Sequence, residues 1–265
     1  MANCLFIIGC RDMDRSAPSP FSDAALYPAA NHRSTLTEEM VVGFYEEYHI
    51  PRTLWFIHLA TRKDRIWHNP KVLEMHGKTA TGLSEAALKC GFRVPTLQLL
   101  KHLFKDMGIA LGQLDPNSFI HINVFQARCM AANVDPRTSL FWHHYDFRRN
   151  GKSKGFYTIA RKTNRVAWAS TNSNNKESHT RWFFFSGPKI AQFAVWKDVE
   201  PKDIVMPSFP GADAEDYRKL CELDMGKVPL SLSRDKDWLF ALWGNGGNCS
   251  FITLHFSFSC FAFGI

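Results

Sequence analysis

The sequence has no C-x-x-C pair. Its seven cysteines (Cys4, Cys10, Cys90, Cys129, Cys221, Cys249, Cys260) are scattered and odd in number, which argues against a disulfide framework or a paired-cysteine zinc site and for a reduced, intracellular chain. It also lacks D-[ST]-G, the signature in which two aspartates share a proton, since Asp106-Met107-Gly108 and Asp224-Met225-Gly226 are only near misses; this excludes an aspartic protease. No two aspartates are adjacent, so the metal-binding turn of a reverse transcriptase is missing too. Carboxylates are plentiful, but no flanking pattern selects three that would converge on Mg²⁺, as an integrase or cut-and-paste transposase requires. The apolar run Cys4–Ile8 has no lysine or arginine before it and is shorter than a signal-peptide core, so secretion is not expected.

Charge is unevenly spread. After Asp237 there is none: the chain passes through Gly244-Asn245-Gly246-Gly247-Asn248 into a Phe/Ser alternation. His255 and the serines interrupt it too often for a membrane anchor of ~20 apolar residues. An edge strand would expose its phenylalanines. The break in composition favours sequence read past a gene-model boundary over residues 244–265, and no membrane partner is expected.

What is present supports a folded protein. The 265 residues can bury one good core, and 45% apolar with 14% aromatic content is far from the composition of a disordered chain. The net charge of +7 is compatible with nucleic acid. Between Gly91 and Trp142 three helix starts follow one another. Val94-Pro95-Thr96 opens the first and Gly108 closes it; Asp115-Pro116 and Asp135-Pro136 open the next two, each pairing a capping carboxylate with a proline that has no donor to lose. Helical spacing puts Leu97, Leu100, Phe104 and Met107 on one face, Phe119, Ile122, Phe125 and Cys129 on the next, and Leu140, Phe141, His144 and Tyr145 on the third.

The flanks are read by the same rules. Thr35 with Glu38 has capping-box spacing and starts a helix that Pro51 ends; Ile50–His58 suggests a strand, and Leu83–Cys90 a short helix after a basic, loop-like Thr61–Gly82. Gly155–Arg161 alternates as a strand, with Thr163-Asn164 as a turn and Val166–Ala169 as its hairpin partner. Trp182–Phe185 is a buried strand and Phe193–Trp196 a further candidate, and Ala212–Leu223 is a helix with Tyr217, Leu220 and Cys221 inward. The fold class is α+β: a predominantly helical module followed by a small antiparallel hairpin or sheet. Residues 1–34 read as a mobile lead-in, 35–225 as the main domain and 226–265 as a loose or aberrant tail.

Several of these motifs occur in a familiar order. Gly91-Phe92-Arg93-Val94-Pro95 is followed by Ile109 with Gln113-Leu114-Asp115-Pro116-Asn117, then Phe125, Pro136 with Thr138, Leu140-Phe141, and Gly155-Phe156-Tyr157. Upstream stand Leu36-Thr37 and Tyr48-His49-Ile50-Pro51. The chain thereby resembles a plant gypsy-type transposon domain family, related to Ty3/gypsy retrotransposons and often labelled transposase, over roughly residues 35–187 with the core at 83–187. Val94 departs from the aromatic or leucine usual before the proline. The resemblance implies a non-catalytic, Gag-proximal protein that self-associates or binds RNA or DNA. The competing reading is a mobile-element nuclease with dispersed acidic ligands, and a weaker one is a domesticated scaffold.

Two clusters bear on that choice. His143-His144-Tyr145-Asp146 contains metal-ligand types, but helical neighbours point about 100° apart, so one histidine is expected inward beside Phe141 and the other at the surface, with no metal and no cofactor. Neither H-x-x-x-H nor a zinc knuckle is present. Between Asp146 and Glu177 there is no acid, while Arg148, Arg149, Lys152, Lys154, Arg161, Lys162, Arg165 and Lys176 supply positive charge, with Phe156, Tyr157 and Trp168 interleaved. Cations and rings together suit phosphates and stacked bases. Strand alternation instead turns Tyr157 and Ile159 to one side, toward a core. Arg93 is expected to hold a helix-end carbonyl or an acid.

Overall fold

The computed structural model describes residues 32–60, 65–66, 80–94, 98–151, 155–171, 176–188, 190–193, 196–223 and 227–228. The lead-in before His32, the Gly244–Ile265 alternation, the Pro95-Thr96 helix start, Leu97, Lys152 and Lys154 lie outside them, as does the Lys176 side chain. The order is α1 (Glu38–Glu47), β1 (Phe56–His58), β2 (Ala80–Ser84), α2 (Glu85–Lys89), α3 (Gln98–Met107), α4 (Asn117–Ala131), α5 (Thr138–His144), β3 (Tyr145–Arg149), β4 (Tyr157–Arg161), β5 (Trp182–Ser186) and α6 (Asp213–Glu222). It is an α+β fold. Among the described residues no helix is long and apolar enough to cross a membrane.

The wholly apolar Trp182–Phe185 run becomes the centre of a three-stranded sheet, with β1 and β2 antiparallel on either side. A strand's side chains alternate between faces, so Phe183 and Phe185 enter the main core while Trp182 and Phe184 enter a smaller one with Ile66, Ala80, Ala110, Phe156 and Trp196. That double burial is why the run carries no polar residue until Ser186. Strand β2 is an element that the sequence pattern reads as the end of a loop. Its Gly82 touches Gly112 in the tight turn Leu111–Gln113: a Cβ on Gly112 would lie 2.3 Å from the Gly82 carbonyl oxygen, closer than any side chain tolerates.

The end of α3 and the start of α4 stand where their punctuation puts them. Gly108 takes φ +65° after α3, and Asp115 Oδ1 accepts from Asn117 N at 2.9 Å to cap α4. The predicted inner-face residues within the described set, Leu100 through Tyr145, are buried. Arg93 does hold a helix-end carbonyl, donating to Leu88 O at 2.6 Å, and also donates to Phe92 O at 2.8 Å. Gln113 is fully buried and makes four bonds: its Oε1 accepts from Ala110 N and Lys197 N, and its Nε2 donates to Gly155 O and Lys197 O.

Other expectations are corrected. Thr37, not Thr35, caps α1, accepting from Met40 N, because Thr35 is committed to the Thr180 carbonyl. Of Ile50–His58 only the last three residues are strand, since Pro51–Leu54 form a turn. Asp135 does not cap α5: the helix starts at Thr138 after Arg137, which offers no side-chain cap, and Ser139 donates instead to Asp213 of α6. Strand β4 pairs with β3, Phe147 opposite Ile159, rather than with Val166–Ala169. Val166 is exposed, and Ala169 bridges Val228. A 3-10 turn, Ile190–Phe193, stands at the start of the suspected Phe193–Trp196 strand. Leu220 is buried and Tyr217 half-buried, but Cys221 faces outward.

Candidate nucleic-acid interface

Helix α5 runs directly into β3, with His144 the last helical residue and Tyr145 already extended at φ −116° and ψ 156°. The junction separates the two histidines. His144 is buried, stacked on Trp168 at 3.6 Å with Nδ1 2.9 Å from Tyr217 Oη, while His143 is half-exposed and stacks on Phe209. Burial, with Arg165 and Lys162 nearby, pushes the His143 imidazole below its usual range, and since a guanidinium only donates, Nε2 is the acceptor in its 2.6 Å bond with Arg165. Among the described residues no group of three or more histidines, cysteines and acids could hold a metal ion.

In the hairpin, Tyr145, Phe147, Tyr157 and Ile159 face the core while Asp146, Arg148, Thr158 and Ala160 face outward. The interleaved rings are therefore not displayed: Phe156, Tyr157 and Trp168 are all buried, and Tyr157 Oη accepts from Val199 N at 2.6 Å. Of the described cations, Arg148 and Arg161 are exposed and Arg149, Lys162 and Arg165 half-buried, each with a local tie. Arg148 is exposed and bonds Asp146 at 2.8 Å. Lys162 donates to Trp142 O at 2.6 Å and lies 3.8 Å from Asp146. Arg161 reaches over the turn to the carbonyls of Lys162, Thr163 and Arg165. Arg165 itself lies 5.1 Å from the centre of the Tyr217 ring.

Arg149 shows what the linear strip could not. It reaches Asp198 at 2.9 Å and Glu200 at 2.7 Å, acids that come from fifty residues downstream and sit against the strip only in the fold. The same segment leads to residues 201–209, whose Pro201, Met206, Pro207 and Phe209 enclose, with Ser139, Trp142, His143, Asp146 and Lys162, a cavity of about 270 Å³ beside the outward face. No motif marks these residues. Their one signal is the density of proline and apolar residues in a stretch with no helical or strand period.

No curated protein and no solved structure matches the chain. A family model does match residues 83–149, from within β2 to the end of β3, so it takes in Arg148 and Arg149 but neither β4 nor the downstream acids. That model is described as "putative gypsy type transposon", and over this segment the chain is similar to that family.

Proposed function

We propose that this is a non-catalytic, transposable-element-derived protein, similar to a Gag-proximal region of plant Ty3/gypsy elements, whose β3–β4 hairpin contacts nucleic-acid phosphates. The observation that carries the reading is the excess of cations on that hairpin: from Asp146 to Arg165 the chain has seven lysines and arginines against Asp146 alone. Asp198 and Glu200 engage Arg149 and leave the excess standing. Because the hairpin's own rings, Phe156 and Tyr157, are buried, the hairpin itself meets the backbone rather than stacking on bases, and counterion release dominates that contact's affinity.

The test is binding of the full chain to duplex DNA and single-stranded RNA across a salt series. The logarithm of affinity should fall linearly with that of salt, and Lys152→Ala with Lys154→Ala should reduce the slope by about 2. Absence of binding at ~50 mM salt, where phosphate contacts are strong, would move the weight to self-association. Mg²⁺-dependent cleavage of either strand would overturn the non-catalytic part in favour of a nuclease.

A further inference from the structure

The cavity beside the hairpin has a composition that phosphate contact does not use. Its lining combines the apolar side chains of Trp142, Met206, Pro207 and Phe209 with the charged Asp146 and Lys162. At about 270 Å³ it lies just below the ~300–1,000 Å³ typical of drug-sized sites, which leaves room for one planar ring rather than a whole nucleotide. A ring between apolar walls with its polar edge on a carboxylate must present a donor, because a carboxylate only accepts. Arg148 and Lys162 stand at that same carboxylate, so the backbone of a strand whose base had entered would meet positive charge at the rim.

We infer that the pocket formed by α5, β3 and residues 201–209 takes one unpaired, amino-bearing base of a single strand, cytosine above all, whose exocyclic amine donates to Asp146. The inference rests on the phosphate-contact reading and deepens it. Phosphates supply sequence-blind affinity along the hairpin, while the pocket supplies a preference for single strands over duplex and for cytosine over thymine, which has a carbonyl where cytosine has its amine. Paired cytosine has its amine engaged and its ring stacked, so a duplex cannot enter.

The test compares oligo(dC), oligo(dT) and a mixed-sequence duplex on the full chain by fluorescence anisotropy at fixed salt. Oligo(dC) should bind about tenfold tighter than oligo(dT), the order of one good base contact. Asp146→Ala should abolish that ratio while tightening all three probes, because Arg148 and Lys162 lose their internal counter-charge. Met206→Phe, which fills the cavity without touching charge, should lower oligo(dC) to the level of oligo(dT) and leave the duplex unchanged. Equal, salt-sensitive binding of all three probes would overturn the pocket and keep the phosphate reading. No binding of any probe would overturn both.

Discussion

Gln113 is the clearest case of one residue serving several parts of the fold, since its amide joins the turn before α4, the approach to β4 and residue 197. Replacing it by leucine removes partners from two N–H groups and two carbonyls in a dry site, at ~1–3 kcal/mol for each group left bare. A loss of about 3–5 kcal/mol in urea unfolding is expected, allowing for relaxation. Its place in the Gln113–Asn117 motif was visible in the sequence, but its job was not, because two of its partners come from far along the chain. His144 is a second such residue. Burial pushes its imidazole down to about 3, with Arg165 and Arg128 acting in the same direction, and His121 is pushed to about 4 by burial and Arg161. Both sit below the ~6.5 of an unfolded chain, which therefore binds more protons than the fold as pH drops. Stability is full above pH ~6.5 and falls toward pH ~4 by ~1.4 kcal/mol per pH unit per histidine. Urea midpoints at pH 7 and pH 5 should show the fall, and His144→Phe should roughly halve it.

Helix α6 was legible as a helix from its pattern, yet its attachments were not. Arg128 of α4 donates to the Leu220 and Leu223 carbonyls at its C-terminal end, and Arg137 pairs with Asp213 and Asp216 at its N-terminal end. Arg128 thus meets the negative end of the α6 dipole, and the carboxylates of Asp213 and Asp216 stand at its positive end. Asp213 is nearly dry, so Arg137→Ala should cost about 1–3 kcal/mol. It should also raise amide exchange selectively over residues 213–222, and uniform exchange across the chain would disprove the clamp. The hairpin shows how a strong local signal can point to the wrong partner. Thr163-Asn164 is a turn after β4, as its residues suggest, but β4 takes its partner β3 from the other side, across the connection that Asn150 and Gly151 (φ +58°) begin. β3 itself was hidden because its first residues continue the apolar spacing of α5. β2 was hidden for another reason: Ala80–Ser84 has little β-branched content, and its identity as a strand comes from β5, nearly a hundred residues away.

At the scale of the whole molecule, the segment that matches the transposon family is not a self-sufficient unit. Residues 83–149 contain part of β2 and all of β3, whereas β5 and β4, their partners, lie beyond. The segment's apolar side chains need partners from beyond it; Phe92, for instance, packs edge-on against Phe185. A fragment limited to residues 83–149 should therefore lack near-ultraviolet circular dichroism and cooperative unfolding, and a sharp transition would refute that. The strand order β1-β5-β2 also sets a clock on synthesis. Two strands made early must wait for the one that joins them, and at ~5–20 residues per second the stretch from Ser84 to Trp182 takes about 5–20 s to emerge. Throughout that interval two strands wait without the neighbour that pairs them, so slowing synthesis downstream of β2 should leave the chain exposed for longer and lower its folded yield.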